Sequence, residues 1–234
     1  MPSVNLDPRQ LVQAARAGEF ESRASLLKDS LYALERRVGH LFFRAAPPAS
    51  HGLRMLNLGC GSLRYPDWCN ADDYAFKRSL REKSFRPDWR LDVTQAWKCR
   101  SDFWDGVFCQ HVIEHLRYSQ AAFALGECLR TMKPGAWLRL SVPSLSRYVA
   151  FYEGRLADPA FARFPHKALA MSFLAQMHHH KSTWDAGLMI DILLGLGFAR
   201  AREVAFMEGS DPRLIRDQPE KSWESVYVEA QKPA

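Results

Sequence analysis

Several features are missing from this sequence, and each absence removes a class. No apolar run approaches the roughly 20 residues that a membrane-spanning helix needs, so no membrane partner is expected. The opening residues, MPSVNLDPRQ, lack the basic-then-apolar pattern of a secretory leader, and a cytoplasmic location is the expectation. The five cysteines, Cys60, Cys69, Cys99, Cys109 and Cys128, are odd in number and contain no C-x-x-C pair. That excludes a disulfide framework and a zinc ribbon, and the thiols are read as reduced and mostly packing. The formal charge of +6 is spread along the chain without a Lys/Arg block, so a nucleic-acid partner is not expected.

What is present is a composition for a real core. The chain has 234 residues, 47% of them hydrophobic and 25% charged, which fits one soluble globular domain with an appendage. The stretch that organises it is Leu53 to Ser62, LRMLNLGCGS. An apolar run breaks into Gly59-Cys60-Gly61, as where a buried strand opens a cofactor pocket, because glycine allows a tight turn and close ligand approach. A helix after it would add free N–H groups for an anion. The third glycine of a dinucleotide fingerprint is missing, as is the Gly-Lys-Ser/Thr of a phosphate loop, so neither NAD nor a nucleoside triphosphate is indicated.

Strand-like and helix-like segments alternate from here. Strands are expected at 54–58, 68–71, 89–91, 104–108 and 136–142, with a helix over Ser119–Met132 closed by Lys133-Pro134-Gly135. Alternation implies an α/β fold, a mostly parallel sheet with helices on both faces, whose ligands bind at the carboxyl ends of the strands. Gly59, Asp72, Asp92 and His111 all fall at those ends. Residues 1–48 read as an N-terminal helical extension, with Leu27, Leu31, Leu34, Val38 and Leu41 in one stripe. The stripe packs on the domain, covers the pocket as a lid, or forms a homodimer contact. Residues 49–234 form the main domain, and 143–182 within it are too long for an ordinary strand–helix connection.

Five stretches in order, LNLGCGS, NADD, LDVT, FCQHVIEHL and LRTMKPGAWLRLSVPS, give the chain its resemblance to class I S-adenosylmethionine-dependent methyltransferases. WDAGLMIDILLGLGFARAREV and KSWESVYVEAQKP resemble the later helix and last two strands, and the tail resembles small bacterial enzymes of polysaccharide or natural-product biosynthesis. The resemblance implies a Rossmann-like seven-stranded sheet and S-adenosylmethionine as cofactor. It implies that Asn57, Gly59, Cys60 and Gly61 pass under the methionine moiety. Asp72, in preference to Asp73, would take the ribose hydroxyls. Asp92 and the Val93 backbone would meet the adenine, unless Asp92 only caps a helix. Gln110 and His111 would lie beside the methyl group. His111 is then a proton-accepting base or a loop-shaping cofactor contact.

The order H-x-x-E-H over His111, Glu114 and His115 matches an inverted zinc-protease motif. It follows a strand in a methyltransferase frame rather than lying on a helix, so no metal is expected there. Glu114 and His115 would fix the loop or border the acceptor. The segment 143–182, rich in aromatic and basic residues, reads as a cap carrying acceptor contacts at Tyr148, Tyr152, His179 and His180, or as a helical hairpin that merely adds core. Of the triplet His178-His179-His180, His180 is the candidate for a catalytic base, and a metal at the triplet is weighed and set aside. Methyl displacement mainly needs alignment of nucleophile, methyl and sulfur, so a base is not obligatory. The expected activity is methyl transfer to a small-molecule, sugar or biosynthetic-intermediate acceptor, at oxygen. The alternatives are an RNA or protein methyltransferase and a silent cofactor-binding partner subunit.

Overall fold

The computed structural model describes residues 46–48, 52, 54–73 and 87–234. The helices expected within 1–45 lie outside these residues. Seven strands form one sheet: β1 Met55–Leu58, β2 Cys69–Asp72, β3 Trp89–Arg90, β4 Trp104–Gln110, β5 Met132–Pro143, β6 Arg200–Val204 and β7 Ser225–Gln231. Their order is β3-β2-β1-β4-β5-β7-β6. Strands β1 to β5 pair in parallel, whereas β7 runs antiparallel to both β5 and β6. The chain builds outward from β1 to β3, then returns to add β4 on the other flank of β1. The crevice where the direction reverses lies between the carboxyl ends of β1 and β4.

The strands form where they do because they are buried. All four residues of β1 are enclosed, as are Val107, Phe108 and Cys109 of β4 and Leu138, Leu140 and Val142 of β5. Trp89, Trp97 and Trp104 meet in one aromatic cluster beneath the sheet, with Trp89 centroids 6.0 Å from each of the other two. Full burial of a large apolar side chain contributes roughly 1.5–3 kcal/mol, so this layer fixes the sheet's position.

Four helices are described: α1 Tyr118–Thr131, α2 Leu145–Glu153, α3 Lys167–Gln176 and α4 Ala186–Leu196. Helix α1 buries Ala121, Ala124, Leu125 and Cys128, the stripe a 3.6-residue period predicts. Asp185 starts α4 by accepting the Leu188 N–H at 2.8 Å, and Gly197 ends it in the left-handed region. Three local features depart from a simple alternation of strands and helices. Helix α1 ends at Thr131, because Met132 already pairs with Trp104; the turn at Lys133-Pro134-Gly135 is a bulge inside β5, and regular pairing resumes at Trp137. No helix lies between Gly61 and β2, so the anion-binding helix terminus considered after the glycine loop is not there. The histidine triplet is a 3-10 turn rather than part of an α-helix, with His178 and His179 at φ 54° and 63°.

Residues 143–182 fold as α2, a 3-10 turn at Pro159–Arg163, and α3. Tyr148, Phe161, Ala170 and Leu174 form a small core of their own, with Phe151, Phe164 and Trp223 packed against it. Of the two tyrosines expected to face an acceptor, Tyr148 is spent on holding this subdomain together, whereas Tyr152 is exposed.

Candidate active site

The glycine loop is shaped by its connection to β2. Gly59 and Gly61 have φ values of 68° and 54°, a region that side chains with a Cβ rarely adopt. A Cβ on Gly59 would lie 2.2 Å from Val112 Cγ2 on the loop after β4. That close approach holds the two sides of the crevice together. The N–H groups of Gly59 and Cys60 both donate to Ala71 O, at 2.8 and 3.0 Å. The Gly61 N–H donates to Asp72 Oδ2 at 2.9 Å. Asp72, at the end of β2, thus stands directly against the glycine loop.

Asn57, expected against the cofactor, is buried and works beneath the loop. Its Nδ2 donates to Leu63 O at 2.8 Å and to Asn70 Oδ1 at 3.1 Å. Asn70 in turn donates to Tyr65 O and accepts from the Tyr65 N–H. This asparagine pair replaces the missing helix as the brace of the β1–β2 connection, and Asn70 is a site residue that sequence reasoning overlooked. Cys60 is buried, and desolvation pushes its thiol up to about 12, so it stays protonated.

The two neighbouring acids divide. Asp73 is 3.4 Å from the buried guanidinium of Arg90. Asp72 holds the loop through the Gly61 N–H. Asp92 Oδ1 accepts from the Thr94 N–H at 2.9 Å and from Thr94 Oγ1 at 2.6 Å, which caps a local turn; no helix starts here, so the helix cap weighed for it is not what the structure shows. Val93 packs against the main core.

Beyond β4, the Gln110 amide donates to Gln218 Oε1 at 3.4 Å. His111 follows with φ 52°, a strained value for a residue with a Cβ. Its Nε2 is 2.7 Å from Ser225 Oγ, and its Nδ1 is 3.2 Å from Glu114 Oε1. Ser225 Oγ spends its one hydrogen on Lys221 O at 2.7 Å, so it accepts from His111 Nε2–H. Both ring nitrogens are therefore engaged within the protein. In this arrangement His111 braces the loop between Ser225 and Glu114. Ser225 reaches this edge because β7 is antiparallel, which puts its first residue beside the last residues of β4 and β5.

Glu114 is 1% exposed. Burial acts to raise its carboxyl, but His111 and His115 outweigh burial and hold the pKa below the ordinary carboxylate value. Burial in turn lowers His115, against the pull of Glu114. The Lys181 N–H donates to Glu114 O at 2.8 Å, and Ser182 Oγ donates to Leu116 O at 2.7 Å. These bonds dock the end of the cap on the loop after β4, with the His180 and His115 rings 5.0 Å apart. Tyr148 is fully buried and donates to Glu224 Oε2 at 3.1 Å, so it presents no face to an acceptor. Tyr152 and His179 are exposed.

This fold recurs in solved structures. A SAM-dependent methyltransferase from Archaeoglobus fulgidus aligns over 94% of this chain and 99% of its own, at 19% identity and a TM-score of 0.50. The fold is that of S-adenosylmethionine-dependent methyltransferases. A SAM-dependent methyltransferase from Thermotoga maritima shares the methyltransferase fold over 85% of this chain and 87% of its own, at 12% identity and a TM-score of 0.51. A methyltransferase of Haloferax volcanii, solved with its Trm112 activator, aligns over 85% and 90% at 14% identity and a TM-score of 0.50. No protein-family model matches the sequence, and no curated relative matches it. Among the described residues, no helix is long and apolar enough to cross a membrane.

Proposed function

We propose that this chain is an S-adenosylmethionine-dependent methyltransferase acting on a small hydroxylated acceptor. The observation that carries the reading is the pairing of a positive-φ glycine loop, at the switch point of the sheet, with the Asp72 carboxylate at the end of neighbouring β2. A ligand with a backbone-hugging amino-acid end and a ribose diol fits that pairing. The loop leaves no room for a Cβ at Gly59, and a carboxylate at the end of β2 can accept from two hydroxyls. S-adenosylmethionine, when bound, supplies an activated methyl on a positively charged sulfur. The chain's own residues supply binding and alignment: Gly59 to Gly61 and Asp72 for the cofactor, and the His111-braced loop with Gln110 for the reacting end.

The acceptor class rests on what surrounds the crevice. The cap ends beside the loop after β4, and the excess of positive charge is modest and spread along the chain. Such an opening suits a compact polar molecule better than a polyanion. The test is methyl-label transfer from labelled S-adenosylmethionine to a panel of hydroxylated small molecules and sugars, with RNA and protein arms. Label in small-molecule hydroxyls supports the reading. Label only in RNA or protein overturns the acceptor class. No label in any arm, despite tight cofactor binding, points to a silent partner subunit.

A further inference from the structure

We propose a divalent metal site of the zinc class, built by Glu114, His115 and His180 where the cap meets the loop after β4. Their ligand atoms lie within 4.8 Å of one another. Two imidazoles and one carboxylate form a donor set suited to Zn²⁺ and similar transition-metal ions, and three protein ligands leave a further position open.

Three observations favour an ion over a chance cluster. First, the Glu114 carboxylate is almost wholly enclosed, yet neither oxygen receives an aligned hydrogen bond among the described residues. The nearest ring nitrogens are His111 Nδ1 at 3.2 Å and His115 Nε2 at 4.0 Å. A buried carboxylate of this kind is stabilised by a cation, and a metal ion is the most compact one. Second, His180 is already oriented as a ligand. Its Nδ1 is 2.7 Å from Leu174 O, and a carbonyl can only accept, so Nδ1 is the donor and Nε2 is the nitrogen left to face an ion. A backbone carbonyl holding the far nitrogen is the usual support of a metal-binding histidine. Third, the backbone is fixed independently of any ion: Lys181 and Ser182 donate to Glu114 O at 2.8 and 3.2 Å, which brings His180 to His115.

His115 and His180 are half-buried, so an ion has a path from solvent. The ion would pin the cap to the sheet. Its open position would hold water or an acceptor oxygen; only this last use rests on the methyl-transfer reading.

The experiment uses the full, untagged chain, stripped with a chelator and titrated with Zn²⁺ against a chromophoric competitor, with Co²⁺ absorption as a second readout. The expected result is one tight equivalent with four-coordinate cobalt bands. His115→Gln and His180→Gln should each weaken binding by about 100-fold or more, beyond the 10–100-fold seen for supporting residues. The double variant His178→Asn with His179→Asn should bind within about threefold of the parent, since these neighbours lie outside the ligand set and asparagine tolerates their positive φ. Absence of a tight equivalent on the folded chain would overturn the site. So would affinity kept in the His115 and His180 variants but lost in the double variant, which is surface chelation by the triplet. Cofactor calorimetry on the same samples separates the two proposals, because Asp72 and the glycine loop lie outside the ligand set.

Discussion

Replacing Asp72 separates an observed contact from a proposed one. Its Oδ2 accepts the Gly61 N–H at 2.9 Å, and the proposed function gives the same carboxylate the ribose hydroxyls. Asp72→Asn keeps an oxygen for Gly61 and removes the charge. A hydrogen bond to a charged group is worth about 1.5–3 kcal/mol. Losing the charge assistance should therefore cost about 2 kcal/mol, or roughly 30-fold in cofactor affinity. Asp72→Ala also releases the Gly61 N–H, adding about 1 kcal/mol and bringing the loss to over 100-fold. The assay is calorimetric titration with S-adenosylhomocysteine, with thermal melting to confirm folding. Asp73→Asn is the control, because Asp73 faces Arg90 at 3.4 Å. Both Asp72 variants within twofold of the parent, with Asp73→Asn weakened instead, would refute the assignment.

Gly59→Ala should destabilise the chain by about 2 kcal/mol or more and abolish cofactor binding, since its Cβ meets Val112 at 2.2 Å and its φ is positive. Adding Val112→Ala should recover part of the stability but not the backbone term, as read by melting temperature. Arg139→Met should cost about 3–5 kcal/mol, because it leaves buried Asp217 without the guanidinium that now pairs with it at 2.7 and 2.5 Å. Denaturant unfolding measures it. Tyr148→Phe should lower stability by about 1 kcal/mol through the lost bond to Glu224, with no change in cofactor affinity. Glu229 is buried, which acts to raise its pKa, but Ser210 and Arg202 outweigh burial and lower it. Its stabilisation is thus complete above the unfolded-state value of 4.5 and is lost as pH falls through the lower folded value. Acid unfolding of Glu229→Gln should be correspondingly flatter over that window.

Much of this was legible in the sequence because strand ends and buried runs are local. The five stretches located β1 to β5 to within a few residues, and Gly59, Asp72, Asp92 and His111 do lie at one edge. The illegible parts depend on contacts between distant segments. Nothing near Asn57 announces that Asn70 will brace its loop in place of a helix. Ser225 meets His111 only because β7 is antiparallel. Tyr148 and Tyr152 both read as acceptor contacts, yet Tyr148 packs with Phe161 in the core of a small subdomain while Tyr152 stays exposed, a division that depends on how α2 and α3 pack. His180 becomes a neighbour of His115 through the backbone bonds from Lys181 and Ser182 to Glu114, which residue type does not encode.

Whether the crevice takes S-adenosylmethionine is decided by calorimetry on the purified full chain with S-adenosylmethionine and S-adenosylhomocysteine, and with NAD and ATP as controls. One site with micromolar affinity for the first pair and no heat with the controls is the expected result. Binding of NAD or ATP in their place, or no binding of either methionine derivative to the folded chain, would contradict it.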